Sequence, residues 1–304
     1  MDKPKSVLVR VPATSANLGP GFDCLGLALD IWNEIEFSIS GSSLQIEIEG
    51  EGSDVLPREA SNLIYQCMQT LAENASHKLP NGIHVACKNN IPVSSGLGSS
   101  SAAVIAGLLG AKTLLDLQIS DHELLETALS FEGHADNISA CLHGGLTITV
   151  SSAGKLVVKK LAIKPLIAII ALPNISLSTR HARTVLPESV AMRDAIFNIG
   201  RTALLINALQ GNDYEYLRIA MQDSIHQPYR LGLIPGAEEA ISGSLAAGAL
   251  GAALSGAGPS IISFLEKEDK KVGKTLLQAF KNANLPARLF TTTTINQGAQ
   301  VILK

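Results

Sequence analysis

No sustained run of lysine or arginine occurs in the 304 residues, and the formal net charge is only -3. Nucleic acids and anionic membranes need a concentrated positive footprint, so neither is expected as a partner. Cysteine is sparse: Cys24, Cys67, Cys87 and Cys141 form neither a CxxC pair nor a dense framework, which predicts reduced, mostly buried thiols rather than disulfides. Long apolar runs are missing too. The longest, Ala102 to Leu117, contains Lys112 and Asp116 and is too short to cross a bilayer, so it reads as a core helix. The N-terminal apolar stretch is interrupted by Arg10 and Pro12, does not read as a secretory signal, and points to a cytoplasmic protein. The histidines show no HExxH or other metal spacing. Two nucleotide signatures are also absent. There is no GxxxxGK[ST], and the one glycine-rich loop lacks the third glycine and the following acidic residue of a dinucleotide fingerprint.

The composition that remains, 46% hydrophobic and 17% charged, is that of a soluble globular enzyme, and the length favours two lobes. Ser6 to Val11 reads as a strand that runs into a turn-rich loop from Pro12 to Asp23. Ile31–Ile39 and Leu44–Ile48 read as strands, Asn62–Leu71 as a helix and Gly82–Ile91 as a strand. Ser120 and Glu123 match a capping box, so a helix begins there and ends near Gly133. Strands follow the Gly144-Gly145 pair, and Lys164-Pro165 marks a boundary that divides the chain into 1–163 and 164–304. The second half reads as a strand at Leu166–Leu172 and a polar loop to Arg183. Helices follow near 188–209, 214–221 and 236–247. Two strands are broken by Ser255–Pro259, and a helix and a last strand end at Thr294. Mixed α+β layers in both halves are the expected fold class.

Pro92-Val93-Ser94-Ser95-Gly96-Leu97-Gly98-Ser99-Ser100-Ser101-Ala102 lies between a predicted strand and an apolar helix. Amides at such a helix start can point at an anion, with the helix dipole in support. Glycines let the backbone approach phosphate, and serine hydroxyls can donate to phosphate or ligate magnesium. Taken alone, such a turn serves as well for a flexible loop with an N-cap serine.

Three motifs in order decide the matter. Pro12-Ala-Thr-Ser-Ala-Asn-Leu-Gly-Pro-Gly-Phe-Asp23, Pro92 to Ala102, and Leu254-Ser-Gly-Ala-Gly-Pro-Ser260 together resemble the superfamily of kinases for galactose, homoserine, mevalonate and phosphomevalonate. Within it, Asn17 to Asp23 and Glu132-Gly-His-Ala-Asp-Asn137 are similar to the homoserine-phosphorylating branch. Ala135 stands where that pattern usually has proline, and Ile138 to Cys141 also departs from it.

The resemblance implies a two-domain fold, with a left-handed βαβ crossover in an N-terminal domain like ribosomal protein S5 domain 2, and a ferredoxin-like C-terminal domain. It implies ATP as phosphate donor, Mg2+, L-homoserine as acceptor, a place in threonine biosynthesis, and it admits a homodimer. ATP would lie on Pro92 to Ala102, with Asn62, Gly256 and Gly258 in support. Asn17, Asp23, His134, Asp136, Thr179, Arg183 and Arg230 would line the acceptor pocket, the arginines reading a carboxylate and the aspartates an ammonium. Ser100 and Glu126 would hold the metal, because Glu126 and Asn137 are 11 positions apart and return to nearly one face at about 100° per residue. Asn137 replaces the aspartate base of the mevalonate-phosphorylating relatives and would act by orientation, since an amide cannot take a proton. A sister kinase for a mevalonate-type alcohol and a non-catalytic nucleotide sensor are the competing readings.

Overall fold

The computed structural model describes residues 6–304; the first five residues, which open the stretch examined for a leader, lie outside them. The chain begins with β1 (Ser6–Asn17) and β2 (Gly21–Ile39), which pair antiparallel over nearly their full length. The expected loop from Pro12 to Asp23 is therefore mostly strand. Its Pro, Ser and Asn residues are accommodated by register shifts at Pro12/Ala13 and Ala16/Asn17, a use of bulges that turn-residue counting cannot anticipate. β3 (Gln45–Gly50), α1 (Leu63–Asn74) and β4 (Ile83–Asn89) follow, and β3 pairs parallel with β4, so α1 is a crossover helix. Then come α2 (Ser99–Leu114), α3 (Asp121–Glu132), α4 (Asp136–His143), β5 (Leu146–Ser152) and β6 (Lys155–Leu161). The capping box of α3 forms as expected, and Gly133, with φ of 76°, closes that helix.

The second unit contains β7 (Ile167–Pro173), α5 (Thr179–Thr184), α6 (Met192–Gly211), α7 (Leu217–Ala220), α8 (Gln227–Arg230), α9 (Ala237–Ala246), β8 (Gly251–Leu254), β9 (Ile261–Leu265), α10 (Lys270–Asn282) and β10 (Ala287–Thr293). Its antiparallel sheet has the order β10-β7-β9-β8. With helices after β7 and β9, this is the βαββαβ arrangement of a ferredoxin-like domain. The chain then crosses back. β11 (Gln300–Leu303) pairs with β1, completing a seven-stranded sheet. The chain first passes between the sheets in the segment from Leu161 to Ile167, but the last strand belongs to the first sheet, and periodicity gave no sign of it.

Alternation along β7 explains why the units pack as one body. Ala168 and Ile170 join the large core that also holds Val9, Leu27 and Val104, whereas Ile169 and Ala171 join a smaller core with α9 and α10. A strand with apolar residues on both faces is buried on both. All four cysteines are free, and three are buried. No helix among the described residues is long and apolar enough to cross a membrane.

α1 and α2 meet at Gly107, where a Cβ would lie 2.4 Å from the Ile64 carbonyl oxygen and 3.0 Å from Cys67 Cβ. The neighbour is backbone and cannot rotate away. Gly107→Ala is expected to destabilise the fold by about 1–3 kcal/mol through overpacking, read as a lower urea midpoint with an unchanged slope.

Candidate active site

A cavity of about 440 Å³ opens where the ends of β1, the start of α2, the start of α4, α5 and the β8–β9 turn converge. One end is apolar, lined by Ile35, Ile48, Leu56, Leu63 and Cys87. The other is charged, with Asp23, Glu132, His134, Asp136, Arg183 and Arg230. The loop from Val93 to Ser101 lies along it.

The start of α2 has the features of an anion cradle. Gly98 is its N-cap, in the left-handed region at φ 70°, and no side chain caps the helix, so the first-turn amides have no intrahelical acceptor. Val93 to Gly96 and Gly98 to Ser101 line the cavity, but Pro92, Leu97 and Ala102 do not. These three build the loop instead. The Pro92 carbonyl accepts from Ser95 Oγ at 2.7 Å, Leu97 N donates to the same hydroxyl at 3.2 Å, and Leu97 O accepts from Thr14 N at 3.0 Å. Gly98 has a task inside the protein as well, since a Cβ there would meet Thr14 Oγ1 at 2.0 Å. Asn62 lines the cavity, but its amide is used locally, capping α1 through Ile64 N at 3.0 Å and donating to Pro57 O at 2.7 Å.

The carboxylate beside the serines is Glu132, not Glu126. Ser100 Oγ and Ser101 Oγ donate to the two oxygens of Glu132 at 2.5 and 2.6 Å. Glu126 is half-exposed and pairs with His122 at 3.2 Å. The helical-face count fails because α3 stops at Glu132 and the chain reverses through Gly133 before α4 begins. Beyond that reversal, 100° steps carry no information, and within α3 the six positions from Glu126 to Glu132 place them about 240° apart.

Asp136 and Asn137 open α4, and both are buried. Asp136 Oδ1 accepts from His134 Nδ1 at 2.9 Å and from Asn137 N at 2.8 Å, and Oδ2 has no hydrogen bond among the described residues. Asn137 Oδ1 accepts from Thr14 Oγ1 at 2.7 Å. Its Nδ2 has only a 3.5 Å contact to Asp136, leaving N–H donors for the cavity. Thr14 was not singled out from the sequence. An uncharged hydroxyl inside a motif gives no signal until the fold sets it against Asn137.

Arg183 forks Asp23, with Nη1 and Nη2 donating at 3.0 and 2.7 Å to its two oxygens. Arg230 is buried; its Nε donates to Ala182 O at 3.1 Å and its Nη1 reaches Gly256 O at 3.5 Å. Burial, with Arg183 nearby, pushes its pKa down to about 10, so it stays charged at neutral pH. Asn17 fixes this corner: Nδ2 donates to Gly256 O at 2.8 Å, and Oδ1 accepts from Asp23 N at 3.0 Å. Thr179, at the start of α5, also lines the cavity.

Hard oxygen donors, one carboxylate and two hydroxyls, stand beside the α2 start, a set suited to Mg2+, which needs few protein ligands when phosphates and water supply the rest. Among the described residues no group of three or more His, Cys, Asp or Glu is placed to hold a metal, so a self-sufficient protein cage is not what this site offers.

The chain is similar to known proteins over nearly its whole length. Residues 62–145 match the family model for the GHMP kinases N terminal domain, and residues 205–282 that for GHMP kinases C terminal. A homoserine kinase of Carboxydothermus hydrogenoformans is 38% identical over 293 residues, covering 96% of each chain. The crystal structure of a homoserine kinase from Cytophaga hutchinsonii superposes with a TM-score of 0.86 at 32% identity, covering 99% of each chain. A mevalonate kinase from L. major shares the fold, with a TM-score of 0.69 at 17% identity over 98% of this chain and 97% of its own.

The His134–Asp136 contact yields a pH test. The hydrogen bond to Asp136 raises the His134 pKa above its ordinary 6.5, so the folded protein binds that proton more tightly than the unfolded chain. The stabilisation is fully present below about pH 6.5 and is lost as pH rises through the raised value. Between pH 5.5 and 8.5, the wild-type urea midpoint is expected to fall relative to that of His134→Gln. Parallel pH profiles would show that the contact is not linked to folding.

Proposed function

This chain belongs to the homoserine kinases of the GHMP kinase family, and from that premise we propose how its own residues carry out ATP-dependent phosphorylation of the L-homoserine hydroxyl to O-phospho-L-homoserine. The observation that carries the assignment of roles is the convergence, in one cavity, of an uncapped helix start with a cluster of charges of both signs.

The start of α2, with Ser94 to Gly96 and Gly98 to Ser101, cradles the ATP phosphates, and the apolar end of the cavity takes the base. Gly256 and Gly258 close the phosphate region from the second unit. Ser100 and Glu132 would hold Mg2+, which when bound would neutralise phosphate charge. Asn137 is pinned by Thr14 and turns its N–H donors toward the reacting oxygens. It cannot accept a proton, so its contribution is positioning, which is most of what a loose phosphoryl transfer requires.

The acceptor is a zwitterion, and the Asp23–Arg183 pair is its electrostatic complement. The substrate carboxylate takes the arginine side, together with the unpaired Nη2 edge of Arg230. The ammonium takes Asp23 and Asp136 Oδ2. An internal ion pair is thus exchanged for two pairs with the ligand, and no charge is left uncompensated. Asn17, His134 and Thr179 hold the pocket around it. Four free thiols support a reducing, cytoplasmic setting.

The test is ADP release under saturating MgATP across a panel of small alcohols. L-homoserine is expected to be preferred over mevalonate by orders of magnitude. A preference for mevalonate would move the chain to a sister activity, and no turnover with any alcohol would favour a nucleotide sensor.

Two variants test the roles. Glu132→Gln is expected to lower kcat tenfold or more and raise the Mg2+ requirement, with Glu126→Gln within twofold of wild type, since an exposed His–Glu pair contributes little. The reverse outcome would return the metal role to Glu126. Arg183→Ala is expected to lower kcat/KM for homoserine about ten- to a hundredfold, from a charge-assisted contact of about 1.5–3 kcal/mol, and to leave the KM for ATP unchanged. Arg183→Lys should recover part of the loss. If the homoserine amide suffers the same penalty as homoserine, Arg183 does not read the carboxylate.

A further inference from the structure

Phe22 sits between the motif residues Gly21 and Asp23, does not line the cavity, and carries no hydrogen-bonding group. Yet the guanidinium carbons of both Arg183 and Arg230 lie within reach of its ring, 5.5 and 5.1 Å from the centroid. His226 stacks on the same ring, 5.1 Å between centroids at 25°. We propose that Phe22 and His226 form a positioning platform that holds both arginines ready to read the anionic end of the substrate. The proposal rests on the carboxylate role given to those arginines above.

The chemistry of His226 is fixed by its neighbours. The ring is buried, and Nε2 lies 2.7 Å from the Gly19 carbonyl oxygen, so Nε2 must carry the proton that is donated. Nδ1 faces Arg230 Nη1 at 3.3 Å and must therefore present its lone pair. Only the neutral imidazole satisfies both contacts, and burial does push the His226 pKa below its ordinary value. Asp223 Oδ2 lies 3.5 Å from Nε2, farther than the Gly19 oxygen, and the Asp223 oxygens accept from Asn198 Nδ2 and from the backbone amides of Ile225, His226 and Gln227 at 2.6 to 3.0 Å. With Nε, Nη1 and the ring contact engaged, Arg230 has one edge, Nη2, without a hydrogen bond among the described residues. That edge belongs to a residue lining the cavity.

Phe22 answers a problem of like charge. Two guanidiniums placed together repel, and each lowers the other's affinity for its position. The negative face of an aromatic ring attracts cations without neutralising them, so both arginines can be gathered on one ring and remain charged. A second carboxylate in place of the ring would bind them as tightly but would compete with the substrate. Asp23 already pairs with Arg183, and a ring leaves the Arg230 edge free.

The test uses the full chain and four variants: Phe22→Leu, which keeps most of the volume and loses the π face, Phe22→Tyr, which keeps that face, His226→Gln and Arg230→Gln. Each is assayed for KM and kcat with L-homoserine, KM for ATP, and the preference for homoserine over its carboxamide. Phe22→Leu is expected to raise the KM for homoserine roughly five- to fiftyfold, to leave the KM for ATP within twofold, and to shrink the acid-over-amide preference. Phe22→Tyr should restore most of it, and His226→Gln should act in the same direction as Phe22→Leu. An unchanged homoserine KM and acid preference in Phe22→Leu would overturn the platform, as would equal rises in both substrates' KM values or failure of Phe22→Tyr to recover. Should Phe22→Leu fail to fold, His226→Gln carries the same comparison. Arg230→Gln separates the two levels: if it abolishes the acid preference and the platform variants do not, only the platform falls. If it leaves that preference intact, the carboxylate reading is wrong and the platform falls with it.

Discussion

The turn between β8 and β9 is hydrogen-bonded to the backbone of the Ser95–Gly96 loop and of the end of β1, and the geometry of the cavity depends on that seam. Gly256 N donates to Ala16 O at 3.1 Å, Ser260 N to Ser95 O at 3.3 Å, and Ser255 Oγ to Gly96 O at 2.7 Å. A Cβ on Gly96 would lie 2.4 Å from Ser255 O and 2.8 Å from Gly258 O, so no other residue fits there without parting the two units. The same region holds Asn17, Leu18, Asp23 and Ser94 in the left-handed region, with φ between 50° and 68°. Such conformations cost free energy at non-glycine residues and persist where surrounding contacts over-determine them. Here those contacts are the seam itself and the Asn17 bridge from Asp23 N to Gly256 O.

What the sequence made legible was local. The capping box at Ser120 and Glu123 forms because both partners lie within one turn, and β7, β9 and α10 fall where their apolar periods place them. The three motifs do meet in one cavity, as their resemblance to a kinase superfamily implies. The end of α3 near Gly133 was legible too; what could not be read was the path the chain takes beyond it, the return of β11 to the first sheet, and the bulges that keep β1 a strand past Pro12. A helical-face count favours Glu126 as the metal ligand only if the helix continues to Asn137; because α3 ends at Glu132, it is Glu132 that stands beside Ser100 and Ser101. Thr14, Phe22 and His226 act through partners 123, 161 to 208 and 204 positions away respectively, distances at which periodicity has no reach.

The two ends of the cavity are built by different means. The end proposed for phosphate is made from amides, glycine turns and hydroxyls, whose geometry depends on the backbone path. The end proposed for the acceptor is made from charged side chains on separate elements: Asp23 on β2, Asp136 on α4, Arg183 on α5 and Arg230 on α8. Substitution at Gly96 or Gly98 disturbs the seam or the Thr14 contact before any ligand is bound.

The mevalonate kinase from L. major shares the fold at 17% identity. In this chain the acceptor end is also held from behind. His226 ties Arg230 to the Gly19 turn, while Asn198 and Thr202 from α6 donate to the Pro20 carbonyl at 3.3 and 3.0 Å. The charged residues proposed to meet the substrate are thus fixed to the turn that carries Asn17 and Asp23. A change of acceptor specificity would therefore have to alter this supporting layer as well as the side chains that face the cavity, because a guanidinium whose supports are lost is free to rotate and no longer discriminates by geometry.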